Sequence, residues 1–147
     1  MKDLRVVSVC ARIVETQLGR MVTTTIEEPK GCKAVCGLPG EVPGVSAATQ
    51  VSGSNLHTCA LLSSGHIDCW GWNENGQLGN GTTGKEQNTP VEVQGVSDAT
   101  QVSAGFMHTC ALLSSDRIAC WGDDEDGQLG YVPTKKVQDT PVEVQDL

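Results

Sequence analysis

The strongest constraint on this chain is that it repeats itself. Residues 51–96 lie without a gap over residues 102–147, and 28 of those 46 positions are identical. VSGSNLHTCALLSSGHIDCWGWNENGQLG matches VSAGFMHTCALLSSDRIACWGDDEDGQLG, and TPVEVQ recurs downstream. The same offset of 51 carries GVSAATQ (Gly44–Gln50) onto GVSDATQ (Gly95–Gln101), and Pro39 onto Pro90 and then Pro141. A repeat of this size is one supersecondary unit that buries its faces against its neighbours.

Each unit reads as four short strands: PVEVQ, ATQVSA, HTCALL and a segment from Ile67 to Trp70, with Gly, Ser, Asp or Asn between them. Aromatic residues make up only 3% of the chain and glycines number 17, so the apolar content is Val, Leu, Ile and Ala in short runs. That pattern favours strands over long helices. Leu4 to Val14 is compatible with either. Four strands per roughly 40–50 residues is the period of a propeller blade, so the expected class is all-β, blades of a β-propeller. Residues 39–147 hold two good repeats. Residues 1–38 read as a degenerate or atypical N-terminal repeat with an insertion. There Cys10 and Gln17-Leu18-Gly19 parallel Cys69 and Gln77-Leu78-Gly79, and the 22 residues from Gln17 to Pro39 exceed the 13 from Gln77 to Pro90.

Ten Lys and Arg against 18 Asp and Glu give a formal charge of −8. That balance opposes a nucleic-acid-binding face, which needs basic residues to displace counterions from phosphates. No stretch approaches the ~20 consecutive apolar residues of a membrane span. The opening Met1-Lys2-Asp3-Leu4-Arg5 lacks the apolar run of a secretory signal.

At HTCALLSSGHIDCWG…NGQLGNGT the sequence resembles the regulator of chromosome condensation repeat family. Its strand–turn–strand ending in Trp-Gly is matched by Trp70-Gly71 and Trp121-Gly122, and its Gly-Gln-Leu-Gly loop by Gly76–Gly79 and Gly127–Gly130. The resemblance covers Pro39–Leu147 well and residues 1–38 poorly. It implies a seven-bladed propeller, which 147 residues are too few to complete; a partial propeller, a fragment of a larger one, is expected. Family activities include nucleotide exchange on the small GTPase Ran with chromatin binding, and β-lactamase inhibition by a bacterial member. Neither transfers residue by residue, because only the scaffold motif is matched.

The seven cysteines include two pairs ten residues apart, Cys59/Cys69 and Cys110/Cys120. If Ser63-Ser64-Gly65 forms a three-residue hairpin loop with Gly65 left-handed, residue 61 pairs with 67, 60 with 68, and 59 with 69. Cys59 and Cys69 then form a non-hydrogen-bonded pair about 4.5 Å apart, at the short end of the disulfide range. In the second unit Asp116 takes the left-handed position, which Asp tolerates. Each pair is either a structural disulfide or two small buried apolar side chains. The disulfide reading implies an oxidising, extracellular or cell-surface setting. Cys32 and Cys36 form a C-x3-C that could begin a metal site or form a disulfide of its own, but no second pair follows to complete four ligands.

His57-Thr58 and His108-Thr109 occur in both units without an orienting third group, which points to scaffold rather than catalysis. Asp123-Asp124-Glu125-Asp126-Gly127 resembles a calcium loop, yet Pro133 stands where an EF-hand needs its bidentate Glu. Its counterpart Trp72-Asn73-Glu74-Asn75-Gly76 is an ordinary turn. Asn80-Gly81-Thr82 fits the N-glycosylation pattern. Positions that diverge between otherwise identical units are where a propeller displays a partner surface. The partner-loop candidates are therefore Trp72, Asp123, Asp124, Arg117 and Tyr131, together with Glu125 of the same acidic run.

The expected function is a non-enzymatic protein–protein interaction module without a cofactor. Its partner is an unidentified protein, and self-association through uncovered blade faces is a further expectation. Two alternatives remain: a metal-binding or enzymatic protein using Cys32 and Cys36, and a structural spacer.

Overall fold

Short alternating strands joined by glycine-bearing turns can only satisfy their backbone groups by pairing with one another. A computed structural model gives the structure of residues 7–8, 40–131 and 136–144. In chain order the strands are β1 (Val7–Ser8), β2 (Gly40–Glu41), β3 (Ala48–Gly53), β4 (His57–Leu62) and β5 (Ile67–Gly71). They are followed by β6 (Gln87–Glu92), β7 (Ala99–Ala104), β8 (His108–Leu113), β9 (Ile118–Asp123) and β10 (Val137–Glu143). Two antiparallel four-stranded meanders result, β3-β4-β5-β6 and β7-β8-β9-β10, and β1 pairs with β2. The all-β blade architecture expected from the repeat is the one observed.

The tight hairpin has the expected register: Leu61 opposite Ile67, Ala60 opposite Asp68, Cys59 opposite Cys69. Leu62 N–H donates to the His66 carbonyl, and Gly65 N–H returns to the Leu62 carbonyl, both at 2.9 Å. Gly65 (φ +85°) and Asp116 (φ +62°) sit in the left-handed region, as a three-residue hairpin loop requires.

One strand is placed differently from the sequence reading. The Pro-Val strand closes each sheet instead of opening it: β6 pairs with β5, Cys69 opposite Val91 and Asp68 opposite Glu92. Proline has no N–H to give to a ladder, so Pro90 and Pro141 belong on an edge strand, and β6 and β10 are edges. By the same rule β2, the counterpart of β6, pairs backward with β1. Ser8 is opposite Gly40 as Cys69 is opposite Val91. Cys10, Gln17-Leu18-Gly19, Cys32 and Cys36 lie outside the described residues.

The main core lies between the two sheets. Cys59, Leu61, Ile67, Cys69 and Val93 of the first sheet meet Ala99, Val102, Ala111 and Trp121 of the second, with Leu78 and Val96 from the loops. A smaller cluster lies on the opposite face of the first sheet. There Ala48 and Ala60 are covered by partly buried Val42, Val45, Val51, Leu62 and Trp70.

Candidate functional site

The Gly-Gln-Leu-Gly loop builds the seam between the blades. Gly76 (φ +70°) and Gly79 (φ +67°) allow the loop to turn tightly, and a Cβ on Gly79 would stand 2.7 Å from the Trp121 indole nitrogen. The loop backbone is thereby pressed against the next blade's tryptophan. The Gln77 carbonyl accepts the Trp121 indole N–H at 3.0 Å and the Thr109 hydroxyl at 2.9 Å, using both of its lone pairs. His57 Nε2 lies 2.8 Å from that same hydroxyl. Since Thr109 gives its only proton to Gln77, His57 must donate from Nε2. Its unprotonated Nδ1 then accepts the Ser54 hydroxyl at 2.9 Å. Burial first, and His108 nearby second, hold the His57 pKa down to about 4. A neutral imidazole bridging two blades is a scaffold group. Its neighbour in the dipeptide, Thr58, takes no part in the bridge, so the His-Thr dipeptide is not a base–nucleophile pair.

Two further contacts knit the inner strands. The Gln50 amide imitates a strand, donating to the Val102 carbonyl at 2.8 Å and accepting the Val102 N–H at 3.0 Å. Ala104 N–H donates to the Ser52 hydroxyl at 2.9 Å.

The cysteine pairs lie at disulfide distance. The Sγ atoms of Cys59 and Cys69 are 2.14 Å apart and those of Cys110 and Cys120 are 2.11 Å apart, with Cα separations of 4.1 Å in both. Cys59 and Cys69 are fully buried at the seam, whereas Cys110 is half-buried on the far face of the second blade. Among the described residues, no group of three or more His, Cys, Asp or Glu is arranged to hold a metal. No described helix is long and apolar enough to cross a membrane.

The partner-loop candidates separate to opposite ends of the sheets. Trp72, Asp123, Asp124, Glu125 and Tyr131 belong to the long β5–β6 and β9–β10 connections and their edges, at one end. Arg117 is in the β8–β9 turn at the other end, paired with Glu143 at 2.6 Å. Beside the corresponding β4–β5 turn, burial and then Glu92 raise the Asp68 carboxyl pKa, opposed by His66.

At the loop-bearing end the candidate residues do different work. Asp124 is 3% exposed, and its Oδ1 accepts the Leu129 N–H at 3.0 Å, as Asn73 Oδ1 accepts Leu78 N–H at 3.1 Å. It is thus a scaffold residue and not a displayed one. Repeat divergence misleads here because Asn and Asp perform the same loop cap with an acceptor oxygen. Asp123 is half-buried and accepts from Gln128 Nε2 (2.8 Å) and, across the seam, from Asn75 Nδ2 (3.2 Å). Trp72 stands in its place in the first blade, which leaves Gln77 Nε2 without a partner. Glu125 is exposed and paired with Lys136 at 3.1 Å. Tyr131, half-buried, holds the Gln138 side chain through its hydroxyl.

The most exposed large apolar side chain among the described residues is Phe106, 57% exposed in the β7–β8 turn at this same end. It was absent from the sequence-derived candidates, although its counterpart is Asn55 and the same divergence rule points to it. With half-buried Trp72 and exposed Glu125, it gives this end an aromatic and acidic character.

Comparisons with known proteins agree with this architecture. The regulator of chromosome condensation (RCC1) repeat profile matches residues 64–112, and a second profile of that repeat matches 48–77 and 99–128. The chain is 35% identical over 111 residues to the regulator of chromosome condensation of Mus musculus, covering 73% of this chain and 26% of that protein. It is 41% identical over 87 residues to the ultraviolet-B receptor UVR8 of Arabidopsis thaliana, covering 58% and 20%. It therefore spans about a quarter or less of the length of these relatives. Prp20p of Saccharomyces cerevisiae superposes with a TM-score of 0.67 at 19% identity, covering 77% of this chain and 29% of that one. The chain belongs to the regulator of chromosome condensation repeat family, and its two four-stranded sheets are blades of that family's β-propeller.

Proposed function

We propose that this chain is a non-enzymatic protein-interaction module whose partner surface is the loop-bearing end of its blades. The observation that carries the reading is a division of labour among residues. The positions repeated between units, His57, Gln77, Gln50 and Ser52 with their counterparts, build or repeat the seam, while Phe106 and Trp72 differ between units and reach the surface at one end, beside exposed Glu125. Similar solved proteins support a protein-binding role. Prp20p was characterised with binding properties to Gsp1p and histones, and yeast RCC1 (Prp20) was solved bound to Kap60. The charge of −8 favours a partner of basic character and raises its encounter rate at low salt.

The cysteine pairs support an oxidising compartment, extracellular or at a cell surface, for the mature protein. Thiol titration of protein isolated from its native host tests this: two disulfides leave at most three titratable thiols of seven, whereas seven would reject the compartment.

The interaction reading is tested by quantitative affinity capture with three variants, each checked for native circular dichroism. Phe106→Ala and Trp72→Ala are expected to abolish saturable capture of a partner that Arg117→Ala still retains. Equal capture by all three would reject the loop-bearing end as the binding surface.

A further inference from the structure

The chain holds five asparagines, Asn55, Asn73, Asn75, Asn80 and Asn88, and only Asn80 is followed two residues later by Ser or Thr. The three in the long β5–β6 connection use their side-chain amides differently. Asn73 is 1% exposed, and its Nδ2 donates to the Thr82 carbonyl at 2.9 Å. Asn75 Nδ2 donates across the seam to Asp123 Oδ1 at 3.2 Å. Asn80, among the described residues, is bonded through its side-chain oxygen alone. Its Oδ1 accepts the Thr82 hydroxyl at 2.7 Å, the Thr82 N–H at 3.3 Å and Asn73 Nδ2 at 3.4 Å. Acceptance from the residue two positions on is the Asx turn that Asn favours. The Asn80 nitrogen thus stands outside the network that its own oxygen completes.

The surrounding loop fixes this side chain beside open solvent. Gly81 N–H donates to the Asp139 carbonyl at 2.8 Å, Gly84 N–H to the Asn73 carbonyl at 2.9 Å, and Gln94 Nε2 to the Asn80 carbonyl at 2.9 Å. Residues Gly81 to Glu86 are exposed without interruption. The Gly81 bond also protects the amide. In an Asn-Gly pair the glycine nitrogen can attack the side-chain carbonyl and expel ammonia, but here its N–H is given to Asp139. The second blade has Tyr131-Val132-Pro133 at these positions, so the arrangement belongs to the first blade alone.

We propose that Asn80 is an N-glycosylation site, with Asn80 Nδ2 as the acceptor atom and Thr82 as the hydroxyl residue of the motif. The donor is an oligosaccharide carried on a lipid diphosphate, and the host's transferase catalyses the step. A bond forms between Asn80 Nδ2 and the anomeric carbon of the saccharide, while the bond from that carbon to the phosphate oxygen breaks. The lipid diphosphate leaves with the electron pair, one amide proton is lost, and nothing is oxidised or reduced. The glycosylated amide keeps its oxygen, so all three bonds to Oδ1 survive in the folded loop. The same substitution at Asn73 or Asn75 would remove a donor that the loop or the seam uses. The inference rests on the oxidising compartment proposed above, where chains meet such transferases.

The test is peptide mass spectrometry on the full chain isolated from its native host. The peptide containing Asn80 is expected to exceed its sequence mass by that of an oligosaccharide, with fragmentation placing the addition on Asn80. An unmodified Asn80 overturns the inference. Thiol titration of the same sample decides the compartment separately. Oxidised cysteine pairs with an unmodified Asn80 reject the site alone, whereas seven free thiols with an unmodified Asn80 reject both. Variants expressed in the same host sharpen the assignment. Asn80→Gln and Thr82→Ala are expected to lose the added mass, while Thr82→Ser and the neighbouring Thr83→Ala retain it. The readout is chemical and does not depend on the variants folding, because the transfer acts on the chain as it is exported. An oligosaccharide that persists in Thr82→Ala, or is lost in Thr83→Ala, would reject Thr82 as the recognised hydroxyl and with it the site.

Discussion

Trp70 and Trp121 are the same residue of the same motif, paired across the same strand register, Thr58 with Trp70 and Thr109 with Trp121. Trp121 is fully buried and gives its indole proton to the Gln77 carbonyl, whereas Trp70 remains half-buried over Ala48 and Ala60. The histidines mirror them: His57 is buried between Ser54 and Thr109, while His108 is half-buried, with Gly105 replacing Ser54. Identical local sequence therefore produces different environments, and the neighbouring blade makes the difference. A blade specifies its own strands but borrows part of its core.

The contrast is most exposed to failure at the tryptophans. Trp121→Ala should cost about 3–5 kcal/mol, the range for truncating a buried aromatic, and Trp70→Ala clearly less, as urea unfolding of both variants would measure. Equal costs would mean that the seam contributes nothing beyond what one blade supplies.

The histidine sharpens the comparison through pH. His57 is held neutral at about 4 against an ordinary value of 6.5, so the unfolded chain binds a proton that the folded chain refuses. Stability should therefore be complete above about pH 6.5 and fall as pH drops toward 4, by about 3 kcal/mol in all. In His57→Gln that decline should shrink, whereas in His108→Gln it should persist. Unfolding free energy between pH 4 and 7 provides the check.

Redox chemistry compares the two hairpins. Each pair closes a short loop, so each disulfide should contribute about 2–3 kcal/mol by chain entropy. Access differs, because Cys59 and Cys69 are sealed in the seam and Cys110 is half-exposed. Mild reductant followed by mass-tagged alkylation should label Cys110 and Cys120 well before Cys59 and Cys69. Simultaneous labelling would mean that the blades open together.

Glycines make a narrower comparison. Gly79 and Gly127 both have left-handed φ, but a Cβ on Gly79 strikes the Trp121 ring while one on Gly127 meets nothing within 4 Å. Gly79→Ala should therefore be the more destabilising by about 1–3 kcal/mol, the usual cost of overpacking, visible in thermal unfolding. The smallest effect is expected at Arg117. Its pair with Glu143 is exposed on both sides, so Arg117→Ala should change stability by less than about 1 kcal/mol.

The parts legible in advance were those decided within a few residues. The hairpin from Leu61 to Ile67 has its register set by a three-residue loop, and that register places Cys59 against Cys69. The left-handed positions Gly65 and Asp116 follow from the same loop. The position of the Pro-Val strand was missed because alternation marks a strand without naming its partner, although the missing N–H of Pro90 favours an edge. Among the candidate loop residues, exposed Glu125 is repeated as Glu74, while divergence between units found half-buried Trp72. It erred at Asp124, where the side chain turns inward to cap its own loop, and it passed over Phe106.

The 51-residue repeat thus determined the strands, the hairpin registers, the facing cysteines and the family, because each depends on contacts within about ten residues or on a motif copied whole. The tertiary structure alone decided which tryptophan is sealed, which histidine is held neutral, and which divergent residues reach solvent. Those outcomes depend on what packs against a blade, and two copies of one sequence carry no record of which side has a neighbour.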